Sequence, residues 1–495
     1  MSDNILALDI GTQSIRAAVI KPGGQILGIG QIKHEVDSPQ TNWAQQQPDS
    51  WWQNTCKAIQ QVLAETGVGP ESIAVIAACG QMHGPVGVDE KGDVTTPAVQ
   101  LWCDKRCYAQ CEAVRQDHDE PGLARIAGSS VNPAWTGLKV RWIRDNDGDA
   151  YDKTRFFLVP KDFINFKLTG VACGDPSEAS GSFLWDCRAD DYSTVLAEAV
   201  GVDLEKFAPV KPSHEVIGRV TEQAAKQTGL VSGTPVVAGG GDFPVSMLGF
   251  GIVGEGITAD VTGTSTLLAS HSSKPLIHPG IQNLRHVVAG WIPFTLLDCG
   301  GLSMKWCKDM VSSLGEEASY DGLIDMAGQS PAGSEGLLFY PYMLGERRRE
   351  NTAGKGGWFG ITLKHAGPHF VRSVMEGVAL GMGRDVGLFK SLGLEVNEVF
   401  SVGGGSRNEL WNRIKADVLQ MPLALSSEPE SGLKGAALLG AAGVGLVDDL
   451  VAEALRRRVV DKTVSPQTAN ADVYKAALQE YSRIYDHMLG FWQAE

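Results

Sequence analysis

Apolar and polar positions alternate at the start of the chain in a way that predicts strands. Ile5 to Ile10 and Ser14 to Ile20 are two aliphatic runs separated by the small turn Gly11-Thr12-Gln13. That spacing predicts an antiparallel pair, and Lys21-Pro22-Gly23-Gly24 then turns the chain into a third strand from Gln25 to Gly30. Further on the period lengthens. Trp51 to Glu65 reads as a helix, Ile73 to Cys79 as a buried strand, and Leu196 to Val200 and Glu222 to Thr228 as helices. Pro235 to Ala238 is another short strand. The longest apolar window, Gly432 to Val447, is rich in Gly and Ala and predicts a packed helix, being too short to span a membrane. Helices and strands mixed in this order predict α/β architecture with a mixed sheet.

Part of the pattern repeats. Asp9-Ile10-Gly11-Thr12-Gln13-Ser14 follows one apolar strand, and Val261-Thr262-Gly263-Thr264-Ser265-Thr266 follows another, with Leu267-Leu268-Ala269 as its return strand. Val236 to Asp242 reads strand, glycine run, helix, and Phe400 to Ser406 repeats the plan. The order hairpin, glycine run, hairpin, glycine run predicts two related domains meeting near Gly249 to Gly256. A length of 495 residues also asks for more than one core.

Charge and cysteine content narrow the class. A net charge of -15 disfavours nucleic acid and anionic membranes as partners, while leaving room for phosphates met by backbone N–H groups, magnesium or a few cations. The N-terminus carries no basic segment ahead of an apolar run, so a cytoplasmic protein is expected. Nine cysteines is an odd count and reads as cytosolic thiols. Cys103, Cys107 and Cys111 recur at helical spacing but lack the fourth ligand and the close pairs of a structural zinc site.

A Gly-Thr turn between two strands lets backbone N–H groups approach a phosphate, with the hydroxyls of Thr12, Ser14, Thr264 and Ser265 as further donors. One such turn is an ordinary tight turn; an ordered pair suggests a clamp on ATP from two sides. Asp9 beside the first turn is placed either to hold hydrated magnesium or to cap the turn. Asp242, after three glycines and before Phe243-Pro244, is either a helix cap or a carboxylate that accepts a hydroxyl proton. Gly403-Gly404-Gly405, with Ser406 and an amphipathic helix through Leu410, Ile414, Val418 and Met421, suits a nucleotide base on bare backbone or a plain strand-to-helix turn. Gly249 to Gly254 fits G-x-G-x-x-G but follows a helix, where a dinucleotide site needs a strand. No G-x-x-x-x-G-K-[ST] occurs.

These residues carry a family likeness. Gly357-Trp358-Phe359-Gly360-Ile361, followed by His369 to Glu376, resembles the C-terminal signature of the FGGY carbohydrate kinases, and the chain is most similar within them to bacterial xylulokinases. Gly80-Gln81-Met82-His83-Gly84 resembles their sugar-binding loop. Trp102, Asp104 and Arg106 keep the Trp-x-Asp-x-Arg pattern, and Pro160-Lys161-Asp162 and Asp175 fit the stretch before the hinge. The resemblance implies two ribonuclease H-like domains of the actin-like ATPase superfamily with a cleft between them, a sugar-binding domain over 1–250 and an ATP-binding domain over 251–495. It implies Asp242 as general base, Gln81, Met82, His83, Trp102, Asp104, Asp242 and Phe243 at the sugar, and magnesium at Asp9 and Asp242. ATP contacts fall on Gly11, Thr12, Gln13 and Ser14, and on Gly263, Thr264, Ser265, Gly301, Gly404 and Asn408.

The chain also departs from the pattern. Phe243 stands where xylulokinases usually place Asn, and Glu346-Arg347-Arg348-Arg349 where Glu-Arg-Thr-Pro is usual. In the first family signature Thr136, Lys139 and Trp142 match and Ala134 does not. The expected reaction is ATP-dependent phosphorylation of a primary hydroxyl of a ketose, D-xylulose to its 5-phosphate. Rivals in the same class are another pentulose, a polyol, a deoxysugar or an aldonate such as gluconate. A more distant rival is an actin- or chaperone-like ATPase. Expected partners are the small sugar and ATP/ADP, with a second copy, in a homodimer, the only protein partner considered.

Overall fold

The structure, a computed structural model, describes residues 3–313, 315, 317–346 and 354–492. Two mixed seven-stranded sheets organise it. The first holds β1 (Asn4–Ile10), β2 (Ser14–Ile20), β3 (Ile26–Lys33), β4 (Ile73–Gly80), β5 (Val216–Arg219), β6 (Pro235–Val237) and β7 (Gly240–Gly241). Its order is β5-β6-β4-β1-β2-β3, with β7 paired to the end of β4. Both faces of β1 are buried. Leu6, Leu8 and Ile10 pack with Trp51, Ile59 and Val62 of α1 (Pro48–Thr66) and Phe163 and Ile164 of α2 (Pro160–Thr169). Ile5 and Ala7 point the other way, as the period of two requires.

Short helices α3 (Pro176–Ser180) and α4 (Asp242–Gly249) close the first half. The G-x-G-x-x-G stretch begins at the last residue of α4, so it ends a helix and opens none. The third strand reaches Lys33, beyond the expected Gly30, because its pairing with β2 runs on to Ser14. The helix expected from Leu196 starts at Thr194, where Ser193 Oγ caps the Leu196 N–H.

The second sheet contains β8 (Gly256–Thr262), β9 (Thr266–Ser270), β10 (Gln282–Arg285), β11 (Trp291–Leu297), β12 (Val396–Val402), β13 (Leu423–Leu425) and β14 (Lys462–Val464). Its order is β10-β11-β9-β8-β12-β13-β14. Around it lie α5 (Gly301–Ser313), α6 (Gly367–Ser391), α7 (Glu409–Leu419) and α8 (Ser431–Gly443).

The two hairpins are alike in form but differ by one residue in register: Ile10 pairs with Ile15 around a four-residue turn, and Thr262 with Thr266 around a three-residue turn. The two glycine runs are not equivalent, which corrects the expected repeat. Strand β12 lies parallel to β8 as β4 lies parallel to β1. Gly403-Gly404-Gly405 therefore occupies the place of Gln81-Met82-His83. Gly239-Gly240-Gly241 follows β6, whose counterpart is β13. Identical local wording arises from different strands because a strand's partner is set by tertiary pairing.

The halves also exchange helices. Helix α8 packs Leu433, Ala436 and Ala437 with Ile5, Ala7 and Val75 of the first sheet, while Met247 of α4 joins Ala259 and Phe400 of the second. The two helices touch backbone to backbone: a Cβ on Gly249 would stand 2.0 Å from Ser431 O, and one on Gly435 2.1 Å from Val245 O. This close crossing is the junction that aims one sheet's strand ends at the other. Among the described residues no helix is long and apolar enough to cross a membrane.

Candidate active site

Parallel β4 ends level with β1, Gly80 beside Ile10, and the chain turns there through Gln81-Met82-His83. Gln81 is buried, its N–H donating to Ile10 O (2.9 Å) and its amide to Gln46 Oε1 (3.0 Å). Its Oε1 accepts from the Thr12 hydroxyl (3.1 Å), which in turn accepts from Trp102 Nε1 (3.2 Å). The first hairpin turn is thus tied to the loop beside it. His83 adopts a left-handed φ of 71° and sets its ring edge-on to Trp135 at 5.1 Å. Burial, with Lys139 nearby, pushes its pKa down to about 3, so it is a neutral hydrogen-bonding group.

The remaining residues of the first turn form the hairpin itself. Gly11 N–H donates to Ser14 O (3.1 Å), Ser14 Oγ accepts from Gln31 (3.0 Å), and Gln13 is exposed. Asp104 is fully buried and does not line the cleft. Its carboxylate accepts from Ala44 N–H (2.7 Å) and from the Arg106 guanidinium (2.7 Å), which lies over Trp43 at 3.7 Å. Its place is in the brace behind Trp102.

Asp242 arrives on the glycine run. A Cβ on Gly239, left-handed at φ 74°, would lie 1.9 Å from Ala78 O, and one on Gly241 2.7 Å from Met82 Sδ. Only glycine lets this segment lie against β4. The helix cap is Gly241, so Asp242 is the first helical residue, and its Oδ1 accepts from Phe243 N–H (2.7 Å). Burial first, and the negative charge of Asp9 second, raise its pKa to about 7. Asp9, at the end of β1, is paired with Arg16, whose Nη1 also reaches Glu430 Oε2 (2.6 Å) at the start of α8. Two carboxylates close enough to interact suit magnesium, which needs one or two carboxylates and takes its other ligands from phosphate and water.

From the second half, Gly263 and Ser265 face the same cleft, and Thr264 is exposed at the turn. The start of α5 is fastened to this turn, with Gly301 N–H on Gly263 O and Leu302 N–H on Thr264 O, both 2.9 Å. A Cβ on Gly301 would stand 2.3 Å from Gly263 O. Beneath the turn a fully buried Lys415 bonds Asp260 (2.6 Å) and the Thr262 hydroxyl (2.9 Å). Gly404 is exposed bare backbone, and Asn408 caps α7 by accepting from Trp411 N–H (2.8 Å).

A cavity of about 420 Å³ opens between these parts. Met82, His83, Trp102, Asp242 and Phe243 line it from the first half, Gly263 and Ser265 from the second. Asp9, Gly11, Thr12, Gln13, Ser14, Gln81, Asp104, Thr264, Gly301, Gly404 and Asn408 are not in its wall. Sequence reasoning missed Asn132, Trp135, Leu284 and Phe294, all of which line it. Only Asn132 and Trp135, beside the partly matching Thr136 signature, carried a signal that could have found them. Cys107 and Cys111 are buried among Val114 and Val131, and Cys103 is exposed. Arg347, Arg348 and Arg349 lie outside the described residues.

Comparison with known proteins adds a lineage to this geometry. Residues 4–249 match the model of the N-terminal domain of the FGGY family of carbohydrate kinases, and residues 259–444 that of its C-terminal domain. A xylulose kinase of Bacillus subtilis (strain 168) is 27% identical over 98% of this chain and 97% of its own. An autoinducer-2 kinase of Klebsiella pneumoniae is 27% identical over 98% of this chain and 94% of its own. The crystal structure of a xylulose kinase from Rhodospirillum rubrum superposes with a TM-score of 0.93 at 27% identity, covering 99% of this chain and all of that one.

Proposed function

The chain belongs to the FGGY family of carbohydrate kinases, and from that premise we propose that it works in the cytoplasm with magnesium, moving the γ-phosphoryl group of ATP to a primary hydroxyl of a ketose. D-xylulose, giving D-xylulose 5-phosphate, is the substrate favoured by the names of the Bacillus and Rhodospirillum relatives.

One observation carries the reading. The carboxyl of Asp242 opens into a cavity shared by the two halves, and burial together with Asp9 poises it near neutrality. A base with a pKa near working pH combines adequate basicity with an ionised population, which is what proton removal from a hydroxyl requires. Asp242 takes the proton as the sugar oxygen attacks. His83, neutral, hydrogen-bonds a sugar hydroxyl without competing for that proton. Gly263 N–H is taken by Ser265 O (2.9 Å), so the turn offers phosphate oxygens the N–H groups and hydroxyls of Thr264 and Ser265. Asp9 and Asp242 would hold magnesium, which would supply charge neutralisation at the transferring phosphoryl group.

The wall beside Asp242 favours a second reading of the substrate. Phe243 lies edge-on to Phe294 at 5.5 Å, with Leu284 and Met82 also in the wall. Phe243, Phe294 and Leu284 accept no hydrogen bond from a sugar hydroxyl and the Met82 thioether only a weak one, so a deoxy-ketose suits that end of the cavity. An aldonate suits it less, since no Lys or Arg among the described residues lines the cavity. The test is ADP release coupled to a panel of ketoses, deoxy-ketoses, polyols and aldonates. Turnover that requires a ketose supports the kinase reading; ATP hydrolysis indifferent to every sugar contradicts it.

A further inference from the structure

The segment that delivers Asp242 has no side chains with which to anchor itself. It is three glycines, packed so closely that a Cβ on Gly240 would stand 2.6 Å from Val287 Cγ1. The last peptide before Asp242 is fixed from outside: Gly241 N–H donates to Ser177 Oγ at 3.0 Å. The Ser177 hydroxyl donates to Asp175 Oδ2 at 2.6 Å, and that oxygen also takes Ser177 N–H (2.9 Å) and the Ser213 hydroxyl (3.1 Å). Asp175 Oδ1 faces Lys161 Nζ at 2.9 Å. Lys161 pairs with Asp162 as well and donates to Ala238 O (3.1 Å), which Asn165 also bonds (2.8 Å). Lys161, Asn165, Asp175 and Ser177 are all fully buried.

The chain of bonds has a single direction. An ammonium only donates and a carboxylate only accepts. The Ser177 proton is therefore committed to Asp175, leaving its lone pair for Gly241 N–H. A buried ion pair is weak evidence of stabilisation; what these bonds do here is fix the orientation of the groups they join. The neighbours on α3 extend that role. Glu178 Oε2 lies 3.4 Å from His83 N, and Ser180 Oγ accepts from Arg285 N–H (2.8 Å) on β10. One short helix thus touches the glycine run, the sugar loop and the second sheet.

We propose that Ser177 is a positioning residue for Asp242, with the Lys161–Asp175 pair orienting its hydroxyl. The proposal rests on the reading of Asp242 as proton acceptor. Misplacing a reacting group by a fraction of an ångström to 1 Å costs about 10–100-fold in rate. Ser177→Ala accordingly keeps its melting temperature within a few degrees and its KM for ATP, while kcat falls about 10-fold or more. Ser177→Thr, which retains the hydroxyl, recovers most of that loss. In the Asp242→Asn background, Ser177→Ala adds less than about 2-fold, because nothing remains to position. Ser177→Cys, nearly isosteric and a weak acceptor, runs the same comparison if the Ala variant does not fold. A native kcat for Ser177→Ala, or an equal loss in both backgrounds, overturns the proposal. Near-native turnover of Asp242→Asn alone would instead remove the base reading. A slow Asp242→Asn with a native-like Ser177→Ala removes only the positioning role.

Discussion

At the scale of single residues, the environment of Asp242 makes a prediction about pH. Its carboxyl titrates near 7 in the free protein, so kcat/KM for the sugar rises with pH and levels off above a midpoint of about 7. Stability runs the opposite way. The folded pKa lies above the ordinary carboxyl value, so the group's contribution is fully present below about 4 and is lost as pH rises through about 7. Asp242→Asn, which does not titrate, should gain melting temperature relative to the native protein between pH 4 and 8; a constant difference contradicts the raised pKa. Phe243 makes a separate prediction. Phe243→Asn restores a hydrogen-bonding side chain beside Asp242 and should reorder the sugar panel toward more hydroxylated ketoses, with the KM for ATP changed less than about 2-fold. An unchanged ranking removes Phe243 from substrate selection. Asp242 and Phe243 were legible because they sit in a glycine-flanked motif. Leu284 and Phe294 were not: each is an ordinary strand residue whose direction toward the cavity depends on which sheet faces which. Asp104 was legible as part of a pattern, yet its neighbour Arg106 occupies it.

Among the elements, the hairpin turns bear the phosphate reading. The Gly263–Ser265 turn is held by buried Lys415 below and by the start of α5 beside it, so its exposed donors are fixed before ATP arrives. A hydrogen bond to a charged group is worth about 1.5–3 kcal/mol. Thr264→Val should weaken ATP binding by about 10- to 100-fold and leave sugar binding in the first half unchanged; calorimetry giving equal ATP affinity contradicts the assignment. Both hairpins were readable from alternation and a Gly-Thr turn, because antiparallel neighbours are adjacent in sequence. The glycine runs misled because β4 with β1 and β12 with β8 pair across long stretches of chain, and no local pattern records such partners. The exchange of α4 and α8 was hidden for the same reason. A Gly- and Ala-rich helix at 431–443 announces close packing, but not that its partner is the first sheet.

Across the whole molecule, the sheets face one another through the α4–α8 crossing, and the Asp242 carboxylate lies where the Gln81–His83 loop of one half meets the Gly263–Ser265 turn of the other. On the proposed reading, sugar and nucleotide would be held on opposite walls and react only when both are present, which is how a kinase avoids spending ATP on water. The fold was legible at this scale because two Gly-Thr hairpins, one in each mixed sheet, betray a duplicated domain, whereas the cavity's shape belongs to their mutual placement and to no segment alone. The central claim is that Asp242 removes the proton from the sugar hydroxyl. Asn at this position preserves size and the bond to Phe243 N–H but cannot accept the proton. The most direct measurement is sugar-dependent ADP release by Asp242→Asn, with sugar and ATP affinities and melting temperature measured alongside. The account predicts a folded variant that binds both substrates and turns over about 10²–10⁴-fold more slowly. Near-native turnover in that folded variant would contradict it.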